Sequence, residues 1–227
     1  MKLKYLALFF FAATLIFACK NNSKKMENTD LKQEEKPTVT AEQKQDTTLA
    51  FCVDSLPEEP IFNIATSMGT IKVKLYKETP LHKKNFIKLA SERFYDNILF
   101  HRIIKGFMIQ VGDPLTKDPN ATINQYGTGG PGYTIPAEIL PQFTHKKGAL
   151  AAARRGDTAN PYKESSGSQF YIVHNPEACV HLDGEYSIFG ETLEGFDVID
   201  KIATAPTRDS RGLPVNDIKI ISILPAE

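Results

Sequence analysis

Apolar and polar residues alternate with a period of two over several short segments after residue 60, which is typical of β-strands with one buried face. The first two segments, Ile61–Thr66 and Thr70–Tyr76, flank Met68-Gly69, and this arrangement predicts a β-hairpin. The same reasoning predicts further short strands at or near Ile98–Ile104, Phe107–Val111, Tyr133–Ile135, Gly148–Ala153, Ser168–Val173, Ser187–Phe189 and Val215–Leu224. The pattern therefore predicts a mainly β domain.

Two segments have helical periodicity instead. Thr79-Pro80 offers an N-cap followed by proline at the first helical position, where its missing N–H is tolerated. A helix is predicted over Pro80–Arg93, because its apolar residues recur at helical spacing: Phe86, Leu89 and Ala90, followed by Phe94. A second helix is predicted over Glu194–Ala203, with the apolar residues Phe196, Ile199 and Ile202.

The segment Pro114–Pro131 is rich in Thr, Asn, Gly and Pro, and this composition predicts a long loop. Many short strands with only two helices favour a closed antiparallel barrel whose open ends are plugged by the helices. We therefore predict a single domain over residues 60–227, which is long enough to bury a sizeable core.

The first 19 residues have the organisation of a targeting segment. Lys2 and Lys4 precede the apolar run Tyr5–Phe17, and the sequence LIFAC ending at Cys19 resembles a bacterial lipobox, although Phe17 stands where a small residue is usual. We expect residues 1–18 to be removed as a lipoprotein signal peptide and Cys19 to be acylated, which would anchor the chain in a membrane. The alternative is a plain signal peptide that leaves Cys19 removed or unmodified.

Residues 19–59 consist mainly of Lys, Glu, Gln, Asn and Thr. Such a segment buries too little apolar surface to offset the entropy of ordering, so it predicts a disordered tether between the acylated cysteine and the domain. Within it, Leu49–Val53 is a small apolar island that is a candidate to dock on the domain. We expect a cell-envelope protein that faces the periplasm or the cell exterior.

The charge balance and the cysteine and histidine spacing exclude several functions. Lys and Arg number 27, as do Asp and Glu, so nothing indicates a nucleic-acid partner. No CxxC and no metal-ligand spacing of histidines is present, so no metal and no cofactor are expected. Cys52 and Cys179 remain beside Cys19, and we favour two unpaired thiols over a disulfide.

The predicted strands Ile98–Ile104 and Phe107–Val111 form a hairpin that carries the main candidate chemistry. Because strand side chains alternate, Met108 and Gln110 share one face, and Arg102 lies among apolar residues on the first strand. A guanidinium is costly to bury unpaired, so Arg102 should face a groove. The alternative is an ordinary amphipathic hairpin whose arginine pairs with a surface acid.

The segment FHRIIKGFMIQVGDP, residues 100–114, resembles the signature of the cyclophilin family of peptidyl-prolyl isomerases. GTGG at 127–130, SGSQFYI at 166–172 and LDGEYSIFGE at 182–191 follow in the family's order, and the resemblance covers nearly everything from Ile61 onward. It implies an eight-stranded barrel capped by two α-helices and prolyl isomerisation without a cofactor. The expected partners are proline-containing flexible polypeptide segments, and the protein is expected to be monomeric.

Two short motifs do not support other enzyme classes. GTGG lacks the preceding strand and the following Lys-Ser/Thr of a phosphate-binding loop, so it predicts a glycine-lined turn. Gly167-Ser168-Gln169 lacks the second glycine of a nucleophile elbow, so hydrolase chemistry is disfavoured.

Prolyl isomerisation needs a pocket for the proline ring and a donor that stabilises the nitrogen lone pair of the twisted amide. Arg102 matches the family's catalytic arginine. The resemblance assigns substrate contacts to the residues at the following positions: His101, Phe107, Met108, Gln110, Ala153, Arg154, Tyr171, His181, Leu182 and Tyr186. Of these, Phe107, Met108, Tyr171 and Leu182 would line the proline pocket, and Ala153 with the backbone of Arg154 would hold the preceding residue.

Several positions depart from the family pattern. Tyr171 stands where phenylalanine is usual, and its hydroxyl needs a partner. His181 replaces the tryptophan of cyclosporin-sensitive members, which predicts weak cyclosporin binding, and Tyr186 replaces a histidine. Arg154-Arg155 replaces a neutral pair and predicts added positive charge at the groove edge.

We predict a membrane-tethered prolyl isomerase that assists the folding of extracytoplasmic proteins. One alternative is a proline-binding module without useful turnover, in which Phe107 and Met108 matter but Arg102 does not. The other is a surface lipoprotein whose domain serves adhesion.

Overall fold

The computed structural model describes residues 49–227. Their strands are β1 (Ile61–Thr66), β2 (Gly69–Leu75), β3 (Arg102–Ile104), β4 (Met108–Val111), β5 (Thr134–Ile135), β6 (Ala149–Arg154), β7 (Ser165–Val173), β8 (Ile188–Glu194) and β9 (Ile220–Pro225). The helices are α1 (Pro80–Ser91) and α2 (Phe196–Ala203), with short 3₁₀ turns at Val53–Ser55, Pro114–Lys117, Ile123–Gln125 and Glu177–Leu182. The predicted signal peptide, the lipidation site Cys19 and the tether up to residue 48 lie outside the described residues.

All of these strands belong to one antiparallel sheet. Its order is β3-β4-β7-β6-β8-β2-β1-β9, and β5 pairs with β7 beside this path. The prediction of a mainly β antiparallel fold with two α-helices is confirmed. The sheet curls around its apolar residues, with α1 and α2 packed on it.

The predicted closure of the barrel is wrong, because the sheet is an open, curled half-barrel. Its two end strands, β3 and β9, share no ladder. The outer edge of β3 is already occupied, since the N–H of Ile103 donates to the carbonyl of Gly212 at 2.8 Å. Strand β9 instead meets the segment before β3, where Phe100 N donates to Ile218 O at 2.8 Å. The predicted strand Ile98–Ile104 therefore shrinks to three residues, and a loop takes the place of a neighbouring strand.

The main core is rich in aromatic rings. Phe86 on the buried face of α1 lies 5.8 Å from Phe62 of β1 and 5.6 Å from Phe170 of β7, measured between ring centroids. Tyr95 closes this cluster and is almost fully buried. Aromatic pairs in such edge-to-face geometry add to the gain from area burial. This core supports the back of strands β4 and β7, whose other side chains form the candidate site.

Residues 49–59, which the composition assigns to the disordered tether, lie against this core. The N–H of Ala50 donates to the carbonyl of Ser91 at the end of α1, at 2.8 Å. The rings of Phe51 and Phe62 lie 5.6 Å apart, and Leu56 packs on the same core. Phe51 of the apolar island and Leu56 after it therefore order this segment. Burying these two side chains offsets the entropy of ordering, which the polar residues around them cannot offset.

The helix ends differ slightly from the predicted ones for backbone reasons. Helix α1 ends at Ser91, because Arg93 adopts a left-handed conformation with φ of 55°. Helix α2 begins at Phe196 and not at Glu194, because Glu194 is the last residue of β8. Over the stretch from residue 49 to the C-terminus, neither α1 nor α2 has the length and apolar character that a membrane span requires.

Candidate active site

A second apolar cluster lies on the face of the sheet away from the aromatic core. Strand β4 contributes Met108 and strand β7 contributes Tyr171, while the 3₁₀ turn Glu177–Leu182 brings in Leu182. Phe107 packs at its edge from the turn between β3 and β4. The structure thus brings together the four residues that were predicted to line one pocket. These four residues pack in one apolar cluster, and we call Phe107, Met108, Tyr171 and Leu182 the apolar pocket because the proline ring is predicted to bind against them.

Arg102 lies at the rim of the apolar pocket. It is paired with Gln110 across the β3–β4 ladder, and its Nη1 lies 3.4 Å from Gln110 Oε1 and 3.7 Å from Met108 Sδ. Its guanidinium carbon is 5.8 Å from the centre of the Phe107 ring. Within residues 49–227, no acidic side chain forms an ion pair with Arg102. The alternative of an arginine paired with a surface acid is therefore not what the structure contains.

The environment of Arg102 strengthens its electrostatic interactions. The side chain is half-buried, and desolvation lowers the pKa of its guanidinium from the ordinary value. An arginine still remains charged at neutral pH. A cation that is partly removed from water and lacks a counter-ion interacts more strongly with any acceptor that approaches it.

Gln110 is held by a residue that was missed at the sequence level. Its Nε2 donates to Gln169 Oε1 at 3.0 Å, and Gln169 Nε2 donates to the carbonyl of Gly129 at 2.8 Å. We call Gln110, Gln169 and the Gly129 carbonyl the amide network. It fixes the Gln110 side-chain oxygen toward Arg102. The available signal was the alternation along β7, which places Gln169 on the same face as Tyr171.

The GTGG segment is a turn held by a buried carboxylate. Asp113 Oδ2 accepts hydrogen bonds from the N–H groups of Gly127 and Gly129, and its Oδ1 accepts one from Leu115 N at 2.8 Å. A Cβ at Gly129 would lie 2.2 Å from Asp113 Oδ1, so only glycine permits this close approach. The turn therefore serves to place the Gly129 carbonyl in the amide network.

His101 forms part of the wall behind this turn. Its ring is buried, and neither ring nitrogen has a hydrogen-bond partner among the described residues. Desolvation lowers its pKa to about 4, so the ring is neutral at physiological pH. A Cβ at Gly127 would lie 3.7 Å from the imidazole. His101 thus packs beneath the glycine-rich turn and borders a cleft beside Arg102.

The extra hydroxyl of Tyr171 does find a partner. It lies 2.7 Å from His145 Nε2, and His145 Nδ1 lies 2.6 Å from Asp183 Oδ1. Burial raises the pKa of Tyr171 and lowers the pKa of His145, so the tyrosine donates to a neutral imidazole that donates to the carboxylate. We call Tyr171, His145 and Asp183 the phenol network. It ties the floor of the apolar pocket to the segment that follows Leu182.

His181 and Tyr186 extend the rim of the apolar pocket. The ring of exposed His181 stacks beside Phe107, with centroids 6.4 Å apart and planes inclined by 17°. Tyr186 packs on the same cluster and lies under a guanidinium, at 4.5 Å from its carbon to the ring centre. Ala153 is partly buried against this cluster.

That guanidinium belongs to Arg154, one of the two arginines predicted to add positive charge at the groove edge. Its side chain is only 5% exposed, and it donates to Asp157 Oδ1 and to both the carbonyl and the carboxylate of Glu185. Two acidic groups therefore pair with Arg154, although Glu185 also pairs with Lys163. Arg155 is exposed and forms no ion pair among the described residues, so the positive charge predicted for Arg154-Arg155 is partly offset at Arg154 and not at Arg155. Arg154 also ties the loop after β6 to the segment that carries Tyr186.

The remaining thiols and acids offer no further centre. Neither Cys52 nor Cys179 is in a disulfide, and burial raises the pKa of Cys179 to about 11. Over residues 49–227, no group of three or more His, Cys, Asp and Glu side chains is arranged to hold a metal ion.

The pocket, Arg102 and the amide network can be compared with known proteins. A family model described as cyclophilin type peptidyl-prolyl cis-trans isomerase/CLD matches residues 61–224, which include every described residue of this site. The chain belongs to the cyclophilin family. It is accordingly an enzyme of the peptidyl-prolyl cis-trans isomerase class.

Two relatives illustrate how far this cyclophilin resembles characterised sequences. Peptidyl-prolyl cis-trans isomerase B of Bacillus subtilis is 43% identical over 129 residues, which are 56% of this chain and 78% of the relative. Peptidyl-prolyl cis-trans isomerase CYP18-2 of Arabidopsis thaliana is 34% identical over 163 residues, which are 71% of this chain and 91% of the relative.

A solved structure shares the fold of this cyclophilin. It is a Cryptosporidium parvum cyclophilin type isomerase crystallised in the presence of the dipeptide Ala-Pro, with 31% sequence identity and a TM-score of 0.64. The match covers 74% of this chain and 99% of that chain.

Proposed function

We propose that this cyclophilin isomerises X–Pro bonds of extracytoplasmic proteins, with Arg102 as its catalytic residue. The observation that carries the proposal is a half-buried guanidinium without an acidic partner among the described residues, at the rim of an apolar pocket. An X–Pro bond crosses a barrier of about 20 kcal/mol because rotation breaks amide resonance. The uncatalysed rotation takes tens of seconds or longer. An enzyme that lowers this barrier therefore accelerates a slow step.

The apolar pocket would hold the proline ring while the preceding carbonyl rotates. Phe107, Met108, Tyr171 and Leu182 offer an apolar surface of suitable character, and the ring hydroxyl of Tyr171 is already satisfied by His145. The related Cryptosporidium parvum isomerase was crystallised with Ala-Pro, a dipeptide that contains proline. This supports a proline-containing peptide as the substrate here.

Arg102 would act on the amide nitrogen. As the C–N bond twists, the nitrogen lone pair is released from resonance and becomes a better hydrogen-bond acceptor. A fixed guanidinium N–H in a partly dry groove stabilises that lone pair more than it stabilises the planar ground state, which is the requirement for catalysis. No proton transfer, nucleophile or metal enters this step.

The other assigned residues would orient the peptide. Gln110, fixed by the amide network, presents hydrogen-bonding groups to the substrate backbone. Ala153 and the backbone of Arg154 on β6 would hold the residue before the proline. The side walls would be formed by three further residues: His101, His181 and Tyr186.

The first test is cis-to-trans relaxation of a short X–Pro peptide with purified parent, Arg102→Ala and Lys105→Ala proteins. We expect Arg102→Ala to lower kcat/KM about 100-fold, since removing one transition-state donor typically has an effect of this size. Lys105 is an exposed cation on the same hairpin and should be dispensable. Circular dichroism checks that each variant is folded. A folded parent that does not accelerate relaxation would leave a proline-binding module as the better account.

We also propose that Cys19 is acylated and holds the enzyme at a membrane of the cell envelope. The support is the charged and apolar start of the chain and the lipobox-like sequence before Cys19. Cells grown with labelled palmitate should yield a labelled protein in the membrane fraction. Cys19→Ser should abolish the label and release the protein, whereas unlabelled parent chain in the soluble fraction would refute the anchor.

A further inference from the structure

A second recess lies beside Arg102, on the far side from the apolar pocket. It is a cleft of about 390 Å³, bordered by Arg102 and Gln110 and lined by four large apolar side chains. These side chains are Ile104, Ile123, Tyr126 and Leu213. We call this recess the outer cleft. Its volume falls in the range of small binding pockets, and it shares His101, Arg102 and Gln110 with the candidate active site.

One wall of the outer cleft belongs to the long loop after β4. The 3₁₀ turn Ile123–Gln125 is preceded by Thr122, whose N–H and hydroxyl both donate to Gln125 Oε1, at 2.8 and 2.9 Å. This local capping stabilises the turn that carries Ile123 and leads into Tyr126. Ile123 is 42% exposed, so part of its apolar surface is open to a ligand in the cleft.

The opposite wall is anchored to β3. Gly212 accepts a hydrogen bond from Ile103 N at 2.8 Å and has φ of 91°, and a Cβ there would lie 2.4 Å from Ile103 O. The close approach therefore needs glycine and holds Leu213 beside the strand. Arg211 Nη1 lies 3.4 Å from Asn124 Oδ1, so it contacts the first wall. The outer cleft is thus formed before any substrate arrives.

The order of strands indicates which part of a substrate reaches this cleft. Across the sheet the order is β6, β7, β4, β3. In the proposed site, Ala153 on β6 holds the residue before the proline, and Tyr171 on β7 with Met108 on β4 holds the proline ring. A peptide that continues in the same direction passes Arg102 on β3 and enters the outer cleft with the residues that follow the proline.

We propose that the outer cleft binds an apolar side chain one or two residues after the substrate proline. The inference rests on the proposed assignment of the site to prolyl isomerisation. The lining favours aliphatic or aromatic side chains, because burying them there removes their apolar surface and that of Ile123 from water. Two cations border the cleft. Arg211 is already paired with Asp209 at 2.8 Å, and Arg102 is assigned to the prolyl amide in the proposed site, so we do not expect the cleft to depend on an acidic side chain.

The test compares four peptides with the full chain in detergent. In the first pair the residues before the proline are the same, and the two residues after it are either both Leu or both Gly. In the second pair the residues after the proline are the same, and the two residues before it are either both Leu or both Gly. We expect kcat/KM to be about 10-fold higher for Leu than for Gly after the proline, mainly through KM, as one apolar contact of this size allows. Replacing Leu by Gly before the proline should change kcat/KM little.

The variant Ile123→Ala should reduce this preference to about 3-fold or less. Its matched control is Ile221→Ala, because Ile221 is another half-exposed isoleucine and lies on β9, away from the cleft. The control should keep the full preference. Three results would each overturn the proposal. Ile123→Ala could lose activity equally on the Leu and the Gly peptides, or it could keep the full preference for Leu after the proline. The parent could also prefer Leu before the proline instead of after it. Activity on the Gly peptides reports separately on the isomerase assignment.

Discussion

Two polar networks begin at the groove of this cyclophilin, and they differ in kind. The amide network runs from Arg102 through Gln110 and Gln169 to a backbone carbonyl, and its hydrogen-bonding groups beyond the arginine do not titrate. The phenol network runs from Tyr171 through His145 to Asp183, and each member can gain or lose a proton.

In this site, the groups that orient the proposed catalytic donor are therefore separate from the titratable groups of the phenol network. Arg102 is oriented by amides whose charge is constant at every pH, so the proposed catalytic donor keeps its setting. The titratable groups of the phenol network lie beneath the apolar pocket and tie it to the segment after Leu182, where they affect packing. We therefore expect the amide network to govern turnover and the phenol network to govern stability.

The largest expected effect is acid destabilisation through His101, which lies behind the glycine-rich turn and belongs to neither network. His101 has a pKa of about 4 in the folded protein and about 6.5 when unfolded, so the unfolded chain binds more protons between these values. The stabilisation is complete above pH 6.5 and is lost as the pH falls toward 4, by about 3 kcal/mol. Urea unfolding at pH 7 and pH 4.5 measures it. If the free energy of unfolding of His101→Gln fell by a similar amount between pH 7 and pH 4.5, the acid sensitivity would come from another group.

Next in size is the cost of removing the centre of the phenol network. His145→Leu leaves the buried Tyr171 hydroxyl without an acceptor, and we expect the free energy of unfolding at pH 7 to fall by about 2 kcal/mol. The measurement is urea unfolding beside kcat/KM. An activity loss far larger than expected from the unfolded fraction would show that this network also controls turnover, and the distinction between the networks would fail.

A smaller effect, but on turnover, is expected from the amide network. Gln169→Leu frees Gln110 from its partner, so the Gln110 oxygen no longer holds Arg102 in one setting. We expect about a 10-fold loss of kcat/KM, mostly in kcat, because orientation and not ground-state binding is lost. Peptide relaxation at several substrate concentrations separates the two constants. Full activity in a folded Gln169→Leu protein would contradict the role of the network.

The smallest effect is expected for Tyr171→Phe, which restores the residue usual in the family. The ring remains in the apolar pocket, so kcat/KM should change less than about 3-fold. The free energy of unfolding should fall by about 1 kcal/mol, because His145 loses its donor. If this variant lost as much activity as Gln169→Leu, the hydroxyl would have a direct part in turnover.

Local pattern was enough for the elements that carry the apolar pocket and Arg102. Alternation along one hairpin placed Met108 and Gln110 on one face, and helical spacing found both helices. Roles that depend on partners from distant parts of the chain could not be found in this way. Gln169 was missed because its partners, Gln110 and Gly129, lie 59 and 40 residues away.

The same limit explains one incomplete expectation and one wrong one. Arg154-Arg155 was predicted to add positive charge at the groove edge, and the sequence does not show that Glu185 folds back onto Arg154 and offsets its charge. The barrel was predicted to close, because nothing in the short strand pattern shows that Gly212 takes the edge of β3. In both cases a loop supplied the decisive contact, and loop geometry has no periodicity from which to infer it.

The absence of an acidic partner for Arg102 has a consequence for engineering and selection. A half-buried cation without a counter-ion lowers stability in the free protein, and an apolar residue such as methionine would pack against Phe107 without that penalty. A search for thermostable variants made without an activity screen would therefore favour replacement of Arg102. The protein would gain heat resistance and lose the proposed catalytic donor, so the stability–activity trade-off expected for this enzyme would lie largely in one side chain.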